Sequence, residues 1–292
     1  MGPSKFDGGV VLERFALTEV ICAGSTIAYE AVDNTNGGKV VVKIGSPDDE
    51  REDAGAAVVQ MNTEFNLLTG PLLGCPGVPV VLGFGETTYT LEGIPQRLPV
   101  IVESPLGRSF PGDNETPLTL QACGASIYRT LREIHQRGVI HRDIKPSNII
   151  IADDGSPILI DFGISCTYDD PTRPIVCGTR SYISSRIFGG YPADMSTDID
   201  SLLCAMHSLE VGSEQWTALK HPADRLPFPP GGVAAQLRHN IMADLAAHPH
   251  PRVPLSYTTS TAKPSASPTI SAAAAVAACG VACLAAFLVN KL

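Results

Sequence analysis

The stretch His141-Arg142-Asp143-Ile144-Lys145-Pro146-Ser147-Asn148, followed after twelve residues by Asp161-Phe162-Gly163, decides how this chain is read. It gathers an acid able to accept a hydroxyl proton, Asp143, and a lysine suited to phosphate charge, Lys145. It also supplies two oxygen ligands of the kind a hard cation such as Mg²⁺ takes, Asn148 and Asp161. Either motif alone is a weak signal. In this order and at this separation they reinforce one another.

Working outward, the first hundred residues read as strands with one helix. Runs rich in Val and Ile at 15–22, 26–33 and 39–45 predict three strands, with Asn36-Gly37-Gly38 as a hairpin signal between the last two. Val58, Met61, Phe65 and Leu68 recur at helical spacing within 54–68. Two further strands are expected near 78–85 and 98–103, making a five-stranded sheet with one helix. After Pro105 the chain turns helical, and an amphipathic stretch at 118–137 leads directly into the His141 motif.

These motifs and this order of elements resemble the protein kinase family, and Lys145 is the Ser/Thr-kinase form of the loop. The resemblance covers about residues 10–255 and is most specific from 139 to 163. It implies an α+β, two-lobed protein kinase fold: a small five-stranded sheet plus one helix, then a larger, mainly helical lobe. It also implies transfer of the ATP γ-phosphoryl group to protein hydroxyls, with ATP and Mg²⁺ as cofactors. Asp143 matches the loop aspartate that orients the substrate hydroxyl and accepts its proton; Lys145 would neutralise charge on the transferring group. Asn148 and Asp161 match the two metal ligands. His141 and Phe162 match packed structural positions.

Upstream, Lys43 ends the strand Val40-Val41-Val42-Lys43 and matches the lysine contacting the α- and β-phosphates. Glu64, twenty-one residues later and mid-helix, fits its ion-pair partner. Residues 103–106, from Glu103 to Leu106, would be the hinge reading adenine through backbone groups, with Val102 as a small gatekeeper. Thr179 matches the threonine that hydrogen-bonds the catalytic Asp and Lys. Ser165, Thr167, Tyr168 and Thr172 are candidate phosphate acceptors in the segment that Arg142 would order.

Two departures stand out. The phosphate-covering loop of the family carries three glycines; here 22–27 is Cys-Ala-Gly-Ser-Thr-Ile, only Gly24 survives, and the segment is one residue short. Glycines let backbone amides approach phosphates closely, so ATP positioning is expected to weaken. The second departure follows Gly178-Thr179-Arg180-Ser181-Tyr182. Where the family has Ala-Pro-Glu, this chain has Ser184, Ser185 and Arg186. Arg252 fits the arginine that normally pairs with that glutamate. Either the segment has moved or another acid, Asp194 or Asp198, takes over.

These departures keep a rival reading open, a catalytically impaired pseudokinase serving as a nucleotide-binding or scaffold module. A kinase of small molecules on a related fold is the other alternative, disfavoured by Lys145 and the Gly178–Tyr182 motif.

Composition sets outer bounds. The chain has 292 residues, 44% hydrophobic and 17% charged, with a net charge of −9 and no basic tract. That argues against a nucleic-acid partner. Eight scattered cysteines without a C-x-x-C pair read as reduced thiols in a cytosolic domain. Residues 256–269 are rich in Ser, Thr and Pro and read as a linker. Residues 270–289 carry no charge, nine of the twenty being Ala. Such a run is long enough to cross a bilayer. The expected organisation is therefore a kinase domain at 10–255, a linker at 256–269 and a transmembrane tail anchor at 270–289. The domain would face the cytosol and act on a protein substrate.

Overall fold

The structure is a computed structural model. It describes residues 9–24, 26–46, 54–91, 94–111, 116–170, 176–188, 191–212, 216 and 228–250. These fall into two compact units. The first takes the chain up to Gly74 together with Pro79–Gly107; the second takes Cys75–Val78 and the chain from Arg108 onward.

The first unit is an antiparallel sheet with one helix. Its strands are β1 (Val10–Val11), β2 (Phe15–Ala23), β3 (Thr26–Asp33), β4 (Lys39–Gly45), β5 (Val80–Leu91) and β6 (Ile94–Ser104), ordered β1-β2-β3-β4-β6-β5. The expected sheet had five strands; β1 is the sixth, a two-residue run too short to carry a periodic signal. It folds back onto β2 through a turn at 12–14, with Leu12 and Glu13 in the left-handed region. That turn lays Leu12 over the sheet. A Cβ at Gly83 would stand 3.1 Å from Leu12 and 3.2 Å from Phe15, and one at Gly85 would stand 2.7 Å from Leu12. Glycine at both positions is what lets the turn close.

The hairpin foreseen at Asn36-Gly37-Gly38 is present: the Asn36 side chain accepts from the Gly38 N–H at 2.7 Å, and Gly37 has φ 73°. One face of the sheet is an apolar cluster including Phe15, Tyr29, Val42, Val100 and Val102. The other face lies against α1 (Ala54–Thr69), where Phe65 stacks on Phe84 at 4.0 Å. The buried line of α1 runs through Ala57, Met61, Glu64 and Leu68, whereas Val58 is 41% exposed. The predicted stripe holds at Met61 and Leu68, and Phe65 packs on Phe84; it fails at Val58, and it left out Glu64 because a charged residue was not counted as part of the buried face.

The second unit is mainly helical: α2 (Pro117–Gln136), α3 (Ser185–Phe188), α4 (Met195–Val211) and α5 (Val233–Ala247). Thr116 caps α2 in a reciprocal box with Thr119, with Pro at the first helical position; Asp194 caps α4 in the same way with Thr197. Each box satisfies amide donors that the first helical turn would otherwise leave bare. Ile127, Leu131 and Ile134 of α2 are fully buried, and α2, α4 and α5 pack on one another. Gly124 permits the approach: a Cβ there would lie 2.7 Å from Leu237 and 3.2 Å from Met206.

Short ladders frame the loops that matter. β7 (Arg108–Ser109), β9 (Ile149–Ile151) and β10 (Pro157–Leu159) form one small sheet; β8 (Val139–Ile140) pairs with β11 (Cys166–Thr167). Residues 141–148 leave β8 and re-enter at β9, ending in a tight 3-10 turn at Pro146–Asn148. Residues 161–163 lie between β10 and β11. Among the described residues no helix is long and apolar enough to cross a membrane. The expected linker and the span at 270–289 lie outside the described residues.

Candidate active site

In the second unit the loop at 141–148 is anchored from beneath by one carboxylate. Asp198, 1% exposed on α4, accepts the backbone N–H groups of His141 and Arg142, both at 2.8 Å. The ring of His135 from α2 lies 2.8 Å from its Oδ2. Burial alone would raise the Asp198 carboxyl pKa; hydrogen bonding and charge from His135, then His141 and the Arg142 amide, bring it below the ordinary value. Nothing in the sequence marked Asp198 for this task. It was considered only as a partner for Arg186, and a lone Asp in a helix has no local pattern to reveal a long-range role.

His141 is fully buried. Its Nδ1 accepts from the Asp143 N–H at 3.3 Å, so its Nε2 carries the proton and donates to the Ile160 carbonyl at 3.2 Å. Its ring meets Phe162 edge-on at 4.7 Å. Burial pushes the imidazole pKa below its ordinary value. The expected packed role of His141 and Phe162 agrees with this geometry.

Above that base sit the residues picked out by the sequence. Lys145 Nζ donates to Asp143 Oδ2 at 2.7 Å and to Thr179 Oγ1 at 3.0 Å. The Thr179 N–H donates to Asp143 Oδ1 at 2.8 Å. Asn148 Nδ2 donates to the Asp143 carbonyl at 2.9 Å and to its Oδ2 at 3.2 Å, leaving the Asn148 carbonyl oxygen as its acceptor. Burial would raise the Asp143 carboxyl pKa, but the Lys145 charge and hydrogen bonds from Lys145 and Thr179 hold it below the ordinary range. A carboxylate held ionised, beside a fixed ammonium, can orient a hydroxyl and take its proton.

Asp161 is exposed and has φ 70°. Asp is one of the few residues that tolerate this left-handed backbone. Beside it, the Ile160 N–H donates to the Asn148 carbonyl of the main chain at 2.9 Å, which links the two segments. An exposed carboxylate and an amide carbonyl on linked segments suit Mg²⁺, a hard cation that takes few protein oxygens and keeps several other ligands. Gly178, at φ 104°, passes so close to the loop that a Cβ would stand 2.4 Å from the Arg142 carbonyl.

The segment after Asp161 corrects one expectation and settles another between its alternatives. Ser165 is 5% exposed and its hydroxyl donates to the His141 carbonyl at 2.9 Å, so it is a packed residue and not a free phosphate acceptor. The Tyr168 hydroxyl accepts from the Met195 N–H at 3.1 Å. Thr167 lies in β11, half-buried, and Thr172 lies outside the described residues. Arg186, in place of the expected glutamate, pairs with Asp194 at 3.3 Å and lies over the Tyr191 ring. Of the two acids considered as its partner, Asp194 is the one it meets. Arg252 lies outside the described residues.

The first unit carries the other cluster. Lys43 Nζ lies 2.9 Å from Glu64 Oε1, the expected pair. Gly24 is exposed, and its N–H donates to the Thr26 carbonyl at 2.9 Å, closing the connection between β2 and β3. A Cβ at Gly24 would meet nothing nearer than that carbonyl at 3.9 Å, so the turn itself does not demand glycine. Leu106 is half-buried in the irregular link after β6.

The hinge expectation needs correction. Val102 is not at the wall beside Lys43; its side chain belongs to the apolar cluster on the opposite face. Glu103 is still within β6, opposite Val41 of β4 and Val81 of β5. Its carboxylate lies 2.9 Å from Lys43 Nζ. Because strand side chains alternate, a one-residue error in register exchanges the two faces.

Comparison with known proteins agrees with this geometry. Residues 108–225 match the family model for the protein kinase domain. A protein described as "Probable serine/threonine-protein kinase PknB" from Bifidobacterium longum is 28% identical over 273 residues, 86% of this chain and 35% of that protein. "Serine/threonine-protein kinase PknB" of Mycobacterium tuberculosis is 31% identical over 144 residues, covering 44% of this chain and 23% of its own length. "Serine/threonine-protein kinase PknA" of the same species is 27% identical over 262 residues, 82% of this chain and 58% of that protein. Residues 108–225 are thus similar to a protein kinase domain, and the relatives are kinases by description. The chain spans about a third of the Bifidobacterium protein and less than two thirds of the others.

Proposed function

We propose that this chain is a Ser/Thr protein kinase that transfers the γ-phosphoryl group of ATP to protein hydroxyls. The single observation that carries the reading is the triangle of Asp143, Lys145 and Thr179, closed by contacts of 2.7, 3.0 and 2.8 Å. In it Asp143 orients the substrate hydroxyl and accepts its proton at Oδ1, which takes one hydrogen bond where Oδ2 takes two. Lys145 offsets charge near that oxygen, and Thr179 fixes both. The carbonyl oxygen of Asn148 and the carboxylate of Asp161 would hold Mg²⁺, which supplies charge neutralisation to the nucleotide when bound. Lys43, oriented by Glu64, would contact the α- and β-phosphates, and Gly24 and the backbone near Leu106 would line the nucleotide. No acid limb in the pH–rate profile above about pH 4 is expected from Asp143, since its pKa lies below the ordinary carboxylate value near 4.

The test is transfer of radiolabelled phosphate from ATP with Mg²⁺ by the full chain to a generic protein acceptor such as casein, with phosphoamino-acid analysis. Phosphoserine and phosphothreonine are expected. Nucleotide binding without any transfer would instead favour the catalytically impaired reading, which the shortened turn at Gly24 supports.

We also propose that residues 270–289 anchor the chain in a membrane with the kinase domain in the cytosol. The support is twenty successive residues without a charge, preceded by a Ser/Thr/Pro-rich tract. Alkaline carbonate extraction decides it: the full chain should stay with the membrane pellet, and recovery in the supernatant would refute the anchor.

A further inference from the structure

Lys43 faces two carboxylates. Its Nζ is 2.9 Å from Glu64 Oε1 and 2.9 Å from Glu103 Oε2, with the lysine side chain 13% exposed and each glutamate 4%. Strand register explains the geometry. Lys43 pairs with Ile101 and Val41 with Glu103, so these four residues share the face covered by α1. The remaining Glu103 oxygen, Oε1, is buried without a hydrogen-bond partner among the described residues. Lys43 thus shares its ammonium between two buried carboxylates, and the acceptor left over lies on Glu103. Buried carboxylates are retained only with a cation beside them. Glu103 is therefore committed to Lys43.

We propose that Glu103 is a positioning residue that competes with nucleotide phosphates for Lys43, lowering the affinity of the site for phosphate-bearing nucleotides while holding the lysine in place without them. This rests on the reading of Lys43 as the phosphate-contacting lysine. A phosphate oxygen arriving at Lys43 meets an ammonium already shared between two acids, so it gains less than it would from the Lys43–Glu64 pair alone. The competition requires charge on Glu103, not merely its shape.

The experiment uses the full chain and the variants Glu103→Gln and Glu103→Asp, with ADP and adenosine as calorimetric probes and melting temperature as the check on folding. Glu103→Gln should tighten ADP about tenfold, which is about 1.4 kcal/mol, and leave adenosine unchanged. The KM for ATP should fall by a similar factor while kcat stays within about twofold. Glu103→Asp, which keeps the charge, should return ADP affinity toward the parent value. Without nucleotide, Lys43 acylation followed by peptide mass spectrometry should be several-fold faster in Glu103→Gln, since the free amine reacts and one counter-charge is gone. Equal ADP affinity in parent and Gln variant, or an equal acylation rate, overturns the proposal. So does weakened adenosine binding in the Gln variant, which would make Glu103 a reader of the base. Failure of parent and variants alike to bind ADP would instead remove the nucleotide-site reading itself, and this proposal with it.

Discussion

Arg186 and Asp194 form an ion pair at 3.3 Å, and Asp194 is at the same time the N-cap of α4. The arginine that replaces the family's glutamate thus has an acid of its own, drawn from the helix that follows. Both side chains are partly exposed, 26% and 18%, so the pair contributes modestly.

Reversing the charge at 186 should therefore weaken the fold. Arg186→Glu replaces attraction by repulsion beside a cap that already carries a carboxylate. A loss of about 1 kcal/mol is expected, a fall of roughly 2–4 °C in melting temperature by calorimetry. A rise would mean that Arg252 sits beside position 186 and that the family's pairing is retained.

Asp143 is the carboxylate that Lys145 and Thr179 hold. Asp143→Asn keeps the shape but removes the proton acceptor, and it leaves Lys145 without its counter-ion. Turnover should fall by about 10²–10⁴-fold, with the Kd for ATP nearly unchanged, because this group acts on the hydroxyl and not on the nucleotide. Single-turnover kinetics beside equilibrium binding separate the two; a parent-like rate would remove Asp143 from the role of base.

Asp198 should govern acid stability. Its folded pKa is lowered, so across the window between the folded value and the unfolded value near 4 the unfolded chain binds the extra proton. Its contribution is complete above the unfolded value and is lost as pH falls through the folded one. Urea midpoints measured from pH 6 down to 3 should drop steeply for the parent. Asp198→Asn should start roughly 3 kcal/mol lower, because an amide cannot accept from all the donors around it, and should vary less with pH. Parallel curves would show that Asp198 is not the titrating group.

Much of this was legible beforehand because it is local. The 141–148 and 161–163 motifs pointed to Asp143, Lys145, Asn148 and Asp161 through their resemblance to the kinase motifs, and the same resemblance paired Lys43, at a strand end, with Glu64 in mid-helix. What escaped depends on partners distant in sequence. Asp198 lies more than fifty residues from the amides it holds, 56 from Arg142 and 57 from His141. Val102 was placed on the wrong face because counting from the end of a strand cannot fix which face a side chain takes, and only pairing with β4 does so. β1 was missed because two residues carry no period.

The bonds from Asp198 to the main chain of His141 and Arg142 also change how that segment must move. It has no regular secondary structure, yet both amides are buried and end on a carboxylate rooted in the central helix. Such amides exchange with deuterium only when the surrounding core opens, not when a loop frays. Their protons should therefore be among the last to exchange, alongside those of α4, while ordinary turns such as Asn34–Gly38 exchange early. In shape this segment is a loop; in its opening energy it belongs to the helical core.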